Sequence, residues 1–522
     1  MATPNEKLAD SLNALKELQD GGRRIFKSSE ISRVHRERLM QQGFLREVIK
    51  GWLMSTGPQV QEGDTTPWYA SFWEFCARYC TNRFGIAWYL SPEQSLLLHA
   101  EATAIPAQVI VSSPKGTNNN VDLLFGTSLY DLKVRDMPPA KDLAEKNNLR
   151  LYNAHAALLK VSEPFFQRAP VETQMVLGAV RDVSGILARL LDGGHSAVAG
   201  RLAGAFRRVG RDGFADDIVK TMKSAGYDVR ESDPFSHEEL VTATLAGVPP
   251  IVARLSVIWQ SQRQPVLDVF PEPPGLPSDK GGYIKFVDDI YESDAYHSLS
   301  IEGYSVTPEL IDRVRQGGWN PQADERDRQN RDALAARGYW QAFQSVKASV
   351  AAILDGASAG ALVRDRHRDW YRELFSPTVV AGILRPGALA GYRGHPVYLR
   401  GSRHVPPRSE TVADAMSTLF DLLEKEREPA VRAVLGHWLF GYVHPYPDDN
   451  GRVARFLMNA MLASGGYPWT VVRVDDRTRY LASLETASVE MNVRPFAAFL
   501  AERVRWSAEQ AGRPATVRGA WS

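Results

Sequence analysis

The chain has 522 residues, 44% hydrophobic and 24% charged, which excludes a disordered protein and exceeds one ordinary core, so two or three domains are expected. A formal net charge of +1 excludes a global field toward nucleic acid or membrane and leaves such contacts to local patches. No apolar run approaches spanning length, none follows Met1 as a leader, and Cys76 and Cys80 are the only cysteines, so packed free thiols, a cytosolic location and no membrane contact are expected.

From residue 8 to 55 the pattern predicts three short helices and a small β turn. Leu12, Leu15 and Leu18 recur at helical spacing, and Ser28 or Ser29 would cap a helix carrying Ile31, Val34 and Leu39 before Phe44. Gly43-Phe44-Leu45 then leads into Val48-Ile49-Lys50-Gly51-Trp52-Leu53, a β wing. Lys27-Ser28-Ser29-Glu30-Ile31 resembles a winged-helix opening, with Arg33, Arg36 and Arg38 on the recognition helix. Such a module binds DNA, phosphates first and bases second. The plainer alternative is a solvated basic face on a domain that docks proteins.

From 85 to 135 the chain reads as strands and hairpins, with Val109-Ile110-Val111 and Val121-Asp122-Leu123-Leu124-Phe125 flanking the turn Asn118-Asn119-Asn120. From about 145 to 225 it reads as helices, for example Met175, Val176, Val180, Val183, Ile186, Leu187 and Leu190 before Gly193-Gly194. A winged helix followed by a mixed α/β segment resembles the AbiEi-type antitoxin and transcriptional-regulator family. That order gives a winged-helix domain over 1–56 and a mixed α/β domain over 57–245.

Between Asp268 and Gly282 prolines and glycines crowd together, and no regular element tolerates them. Residues 246–284 therefore read as a helix and linker, 285–506 as a second folded domain, and 507–522 as a tail. Ser298-Leu299-Ser300-Ile301-Glu302-Gly303 opens this domain's motifs, read plainly as a helical turn stopped by glycine. Gly391-Tyr392-Arg393 and His395-Pro396-Val397-Tyr398-Leu399 follow, then an apolar helix through Val431, Val434, Leu435, Trp438, Leu439 and Tyr442. His444-Pro445-Tyr446-Pro447-Asp448-Asp449-Asn450-Gly451-Arg452-Val453-Ala454-Arg455 comes next, before another helical run, Phe456, Leu457, Ala460 and Met461.

That segment reads as a tight loop between two helices, its glycine just ahead of a helix N-terminus suited to phosphate. His444 can take a hydroxyl proton near neutral pH. Asp448 supplies an oxygen for Mg²⁺. Asn450 and Gly451 would line a phosphate cradle, and Arg452 and Arg455, three apart, would present planar forks to phosphates. His395, His404 and His437 match no short metal-ligand spacing with His444 and read as structural.

The loop resembles the signature of the Fic family, H-P-F-x-[D/E]-G-N-G-R-x-x-R. The resemblance implies a mainly α-helical Fic fold with a β-hairpin flap, and transfer of AMP from Mg²⁺-ATP to a hydroxyl of a target protein. His444 would be the base and Asp448 the metal ligand. Asn450, Gly451, Arg452, Arg455, Asp449 and Tyr480 would surround the nucleotide, and Pro396, Val397 and Tyr398 would lie on the flap. The hexapeptide resembles the family's inhibitory motif, in which Ser298, Glu302 and Gly303 would set Glu302 on Arg455 and block the γ-phosphate. This marks a class II, self-inhibited enzyme. Two departures stand out: Asp449 where the family has glycine, and Leu481 and Ser488 where some relatives have a tyrosine and an asparagine near the adenine.

The reading is therefore a cytosolic protein adenylyltransferase acting on Ser, Thr or Tyr, with itself as one target and AMP removal as a side activity. The alternative is a DNA-binding regulator with a nucleotide-sensing or inert Fic half. A toxin–antitoxin role and a homodimer are left open.

Overall fold

Thr3 opens the first helix, Pro4–Leu18: its hydroxyl accepts from the Glu6 amide, and the Glu6 carboxylate accepts from the Thr3 N–H in return. The computed structural model describes residues 3–61, 63–235, 248–318 and 330–511. The chain folds into two compact units, an N-terminal one of Met1–Pro250 with Tyr398–Val405, and a C-terminal one of Ile251–Val397 with Pro406–Ser522. Among the described residues no helix is long and apolar enough to cross a membrane.

In the N-terminal unit, β1 (Ile25–Lys27), β2 (Leu45–Ile49) and β3 (Trp52–Ser55) make an antiparallel sheet in the order β1-β3-β2. Gly51, at φ 86°, turns β2 into β3. The helix Arg33–Gln41 is capped by Ser32, not by Ser28 or Ser29, because Ser28–Glu30 forms only a single 3-10 turn. Two α-helices thus stand where three were expected. Leu15, Phe26, Ile31, Leu39, Leu45 and Leu53 close a small core of their own. Val34 shares the apolar period yet is exposed.

Helix Thr66–Phe84 buries Trp68, Phe72, Phe75, Cys76 and Cys80 in the larger core of this unit. Both cysteines are free, and burial pushes their thiols well up, so they are inert packing groups. The second sheet runs β4-β5-β7-β6, from Tyr89–Leu90, Gln108–Ser113, Ser128–Lys133 and Asn119–Asp122 respectively. The hairpin expected between 109–111 and 121–125 does not form. β7 lies between the two strands, parallel to β5 and antiparallel to β6. The buried Asp131 carboxylate explains the arrangement: it accepts from the Thr117 amide at 2.7 Å and the Asn119 amide at 3.1 Å, fastening that loop to β7.

Residues 143–152, expected partly as helix, form the hairpin β8 (Leu143–Lys146) and β9 (Leu149–Tyr152). Its two-residue turn, Asn147-Asn148, sits at φ 53° and 62°, the left-handed pair that such turns require. Helices fill 154–224 as expected, although the apolar run from Met175 to Leu190 breaks into Pro170–Ala179 and Ser184–Gly193.

No strand is assigned over 391–405, so the expected β-hairpin flap is absent. Tyr398–Val405 instead joins the N-terminal unit. There the Ile105 amide donates to Arg403 O at 2.8 Å and the Val405 amide to Thr103 O at 2.9 Å, with a lone bridge between Ala104 and His404. Backbone groups that a hairpin would pair internally are satisfied by this strip.

The C-terminal unit is helical. Asp279 caps Lys280–Ile301 by accepting from the Gly282 amide at 2.8 Å, so the Pro/Gly-rich stretch ends before Gly281. A side chain on Gly282 would collide with that cap. Helices Pro429–Val443 and Asn450–Ala463 pack together, and the second also packs on Arg331–Leu354 and Ala359–Val380. Asn450–Ala463 is buried along almost its whole length, which fixes the loop before it. The final helix runs to Ala511, while Gly512, Pro514 and Gly519 of the expected tail lie outside the described residues.

Candidate active site

Two left-handed residues shape the loop: His444 (φ 51°, ψ 60°), which ends Pro429–Val443, and Asp449 (φ 58°, ψ 22°), which precedes Asn450–Ala463. Neither is glycine, and such conformations in other residues cluster where function holds them. Asn450 clasps the loop shut. Its Oδ1 accepts from the Tyr446 amide at 2.9 Å and its Nδ2 donates to Tyr446 O at 2.8 Å. Tyr446 stacks flat on Tyr371, with ring centroids 3.8 Å apart.

Arg393, with 3% of its surface exposed, holds the histidine from behind. Its Nε donates to His444 O at 2.7 Å, its Nη2 to Val443 O at 3.2 Å, and its own amide to Pro445 O at 2.8 Å. Sequence reasoning met Arg393 only in the Gly391-Tyr392-Arg393 segment before the expected flap residues and missed this task, because no local pattern links it to a loop fifty residues on. Packing around the imidazole, and then the Arg393 charge, lower His444 to about 4, against the Gly441 carbonyl and Glu302. His444 is thus neutral at neutral pH.

Both arginines are buried and both are engaged. Arg455 donates from Nε to Ser298 Oγ at 2.9 Å, and from Nη2 to Ser298 O at 3.1 Å and Glu302 Oε1 at 2.8 Å. Burial disfavours its charge, but Glu302 outweighs burial and holds its pKa above the ordinary value. Arg452 donates from Nε to Asp449 Oδ1 at 2.8 Å, with Nη2 in ion-pair contact with Asp449 Oδ2. Nη1 of each arginine is buried with no hydrogen-bond partner. A side chain on Gly451 would collide with Glu302 Oε1, so the glutamate lies against the bare backbone that the sequence marks as a phosphate cradle. Gly303, at φ 86°, turns the chain away directly after it.

Asp448 is exposed on the loop, and its Oδ1 accepts from the Asp449 amide at 2.8 Å. Desolvation, then Glu302, push its carboxyl up, while Arg452 pulls it down. One exposed carboxylate beside the expected phosphate cradle is a donor set that would suit Mg²⁺, the remaining oxygens coming from water and phosphate. No group of three or more metal-ligating side chains gathers among the described residues. Tyr480 is buried, its hydroxyl 2.9 Å from His437 Nε2. Direct contacts thus join Asp449 to Arg452, and Glu302 to Arg455 and Gly451, with Ser298 on Arg455; Asp448 and Asn450 stand on the same loop, which begins at His444.

Pro396 and Val397 stay in the C-terminal unit outside any strand, and Tyr398 belongs to the N-terminal one. Of the three arginines on Arg33–Gln41, Arg36 donates to Ser28 O at 3.1 Å and Arg38 to Ser11 Oγ at 2.7 Å, while Arg33 pairs with Glu37 and stays 81% exposed.

The Fic/DOC family model matches residues 361–462, which include the whole loop. This chain carries a Fic domain. A protein adenylyltransferase Fic from Nematostella vectensis is 39% identical over 126 residues, 23% of this chain and 29% of that protein. One from Drosophila melanogaster is 28% identical over 218 residues, 41% of this chain and 40% of that protein. The similarity thus spans well under half of either relative. Among solved structures, Fic-1 from C. elegans aligns at a TM-score of 0.37 and 20% identity, over 66% of this chain and 96% of that one. The matched residues hold the C-terminal unit's loop and the helix Asn450–Ala463 that follows it; residues 1–250 lie outside the residues that the family model matches.

Proposed function

We propose that this protein is an adenylyltransferase that moves AMP from ATP to a Ser, Thr or Tyr hydroxyl of a target protein, restrained by its own Glu302. One observation carries the reading. Two buried guanidinium groups, each with an unpartnered Nη1, stand on the helix turn that Gly451 opens, and a carboxylate paired with one of them occupies the open face of that glycine. That is an anion receptor with a plug in it.

With Glu302 withdrawn, Arg455 and Arg452 would hold the leaving phosphates, and Gly451 would let them approach the backbone. Asp448 would hold Mg²⁺, which when bound neutralises phosphate charge. His444, neutral and held by Arg393, would accept the hydroxyl proton as the oxygen bonds to the α-phosphorus and the bond to pyrophosphate breaks. Incoming phosphate charge raises the imidazole's proton affinity above its resting value. The buried, unoxidised thiols accord with action in the cytosol.

The test incubates the protein with α-labelled ATP and Mg²⁺, alone and with cell lysate. Weak labelling is expected for the wild type, more for Glu302→Gly and none for His444→Ala. Equal labelling in all three would remove the mechanism.

A second reading concerns the N-terminal unit alone. Exposed Arg33 beside exposed Val34 on a short helix with its own small core supports a DNA-contacting winged helix. DNA retention that falls steeply with salt, and falls further in Arg33→Ala, is expected of it. Retention unchanged by either would dismiss it.

A further inference from the structure

We propose that Asp449 is a permanent counter-ion to Arg452, one that sets how tightly the site holds a polyphosphate, separately from the removable Glu302. The inference rests on the adenylyltransferase reading and concerns the same site.

Asp449 occupies a left-handed backbone position, φ 58°, at the N-cap of the motif helix. Glycine takes that conformation freely, and aspartate and asparagine are the side chains that tolerate it best. An aspartate at an N-cap ordinarily accepts from the amides of the first turn. This one makes no such bond. Its carboxylate turns instead onto Arg452, with Oδ1 on Nε at 2.8 Å and Oδ2 against Nη2. The side chains are 2% and 1% exposed, so the pairing is scarcely screened by water. Two of the three guanidinium nitrogens are thereby taken, and buried Nη1 is left to reach a ligand.

The two carboxylates differ in freedom. The Glu302 side chain is 28% exposed, stands at the end of its helix, and precedes a glycine in the left-handed region. It can swing out by side-chain rotation. Asp449 lies three residues from its partner on one tight turn and is buried, so it cannot leave without unmaking the loop. With Glu302 in place, the receptor sets two carboxylates against two guanidinium groups. With Glu302 gone, one carboxylate remains. Relief of inhibition therefore restores the use of Arg455 while Arg452 stays neutralised, and the relieved enzyme binds polyphosphate weakly.

Calorimetry on the full chain in the Glu302→Gly background tests this, using ADP and ATP with and without Mg²⁺. Asp449→Asn keeps shape and backbone tolerance without the charge, and Asp449→Gly removes the side chain where glycine fits. Both are expected to tighten the nucleotide Kd by about tenfold or more, with and without Mg²⁺, as one buried counter-charge is removed. Both should also steepen the salt dependence. Unchanged affinity in Asp449→Asn overturns the proposal. So does a loss confined to the Mg²⁺ arms, which would make Asp449 a metal ligand. Absence of nucleotide binding in Glu302→Gly itself would overturn the adenylyltransferase reading and this inference with it.

Discussion

Arg393 donates from Nε to the carbonyl of His444 at 2.7 Å, gripping the backbone of the residue assigned the substrate's proton. Its remaining side-chain donors go to Pro407 O, Val443 O and His395 O. A planar fork serving several carbonyls at once is something lysine cannot copy.

Arg393→Lys should therefore lower labelling in the Glu302→Gly background by about 10- to 100-fold, since small misplacement of a base is costly to rate. Removing most of the fork's bonds should also destabilise the protein by on the order of 2 kcal/mol. Wild-type labelling rates for this variant would contradict the positioning role.

The pH profile follows from His444, held at about 4 by packing and Arg393. A base must be unprotonated, so kcat/KM for labelling by Glu302→Gly, which reports the nucleotide-free enzyme, should stay level from about pH 8 down past 6.5, the ordinary histidine value. It should fall only on approach to pH 4. Neutralising position 393 with Arg393→Gln should move that acidic limb upward, because the guanidinium lowers the imidazole. An acidic limb centred at 6.5 in the Arg393-containing protein would argue for a different base.

Release of the plug should be graded. Ser298 meets Arg455 through Oγ at 2.9 Å and through its carbonyl at 3.1 Å. Ser298→Ala removes only the first contact, so labelling should rise severalfold, short of Glu302→Gly. Side-by-side labelling of the two variants measures the order, and a Ser298→Ala signal below wild type would reverse it.

Asn450 spends both ends of its buried amide on Tyr446. Asn450→Ala leaves a buried amide and carbonyl unpaired, which costs about 1–3 kcal/mol apiece. A melting temperature several degrees below wild type is expected, together with at least tenfold weaker labelling in the Glu302→Gly background. A thermal scan unchanged from wild type would show that the clasp is dispensable.

Acid should weaken the fold through its buried histidines. Burial lowers His367 and His297 to about 4 and His437 to about 3. The unfolded chain takes up these protons near 6.5, whereas the native state refuses them until well below. Stability is thus full above 6.5 and is lost as pH falls from there toward 4, by on the order of 3 kcal/mol for a histidine held near 4. Thermal unfolding measured between pH 7 and 5 should show the decline, and His437→Gln should flatten it.

The loop was legible because its chemistry is contiguous: twelve residues carry base, carboxylates, glycine and arginines, and helical periodicity on both sides fixes where the loop must fall. The Ser298–Gly303 hexapeptide became legible by its own fixed positions. What escaped was long-range or side-chain specific. No pattern in Gln108–Ser113 says that its neighbour will be Ser128–Lys133 and not the nearer Asn119–Asp122, because parallel partners need not be adjacent in sequence. Asn147-Asn148 did carry a turn signal of the Asn-Gly kind, overlooked within a stretch expected to be helical. Asp449 was visible as an oddity, but its grip on Arg452 depends on a backbone angle that letters do not display.

The strip Tyr398–Val405 has a consequence for how this polypeptide can be handled or inherited. Backbone passes between the two units at 250–251, again at 397–398, and back at 405–406. A gene fragment ending near 250 would lack the stretch that occupies Thr103–Ile105, and one beginning there would carry that stretch with nothing to lie on. The halves are interleaved, so recombination at any single junction yields two incomplete products.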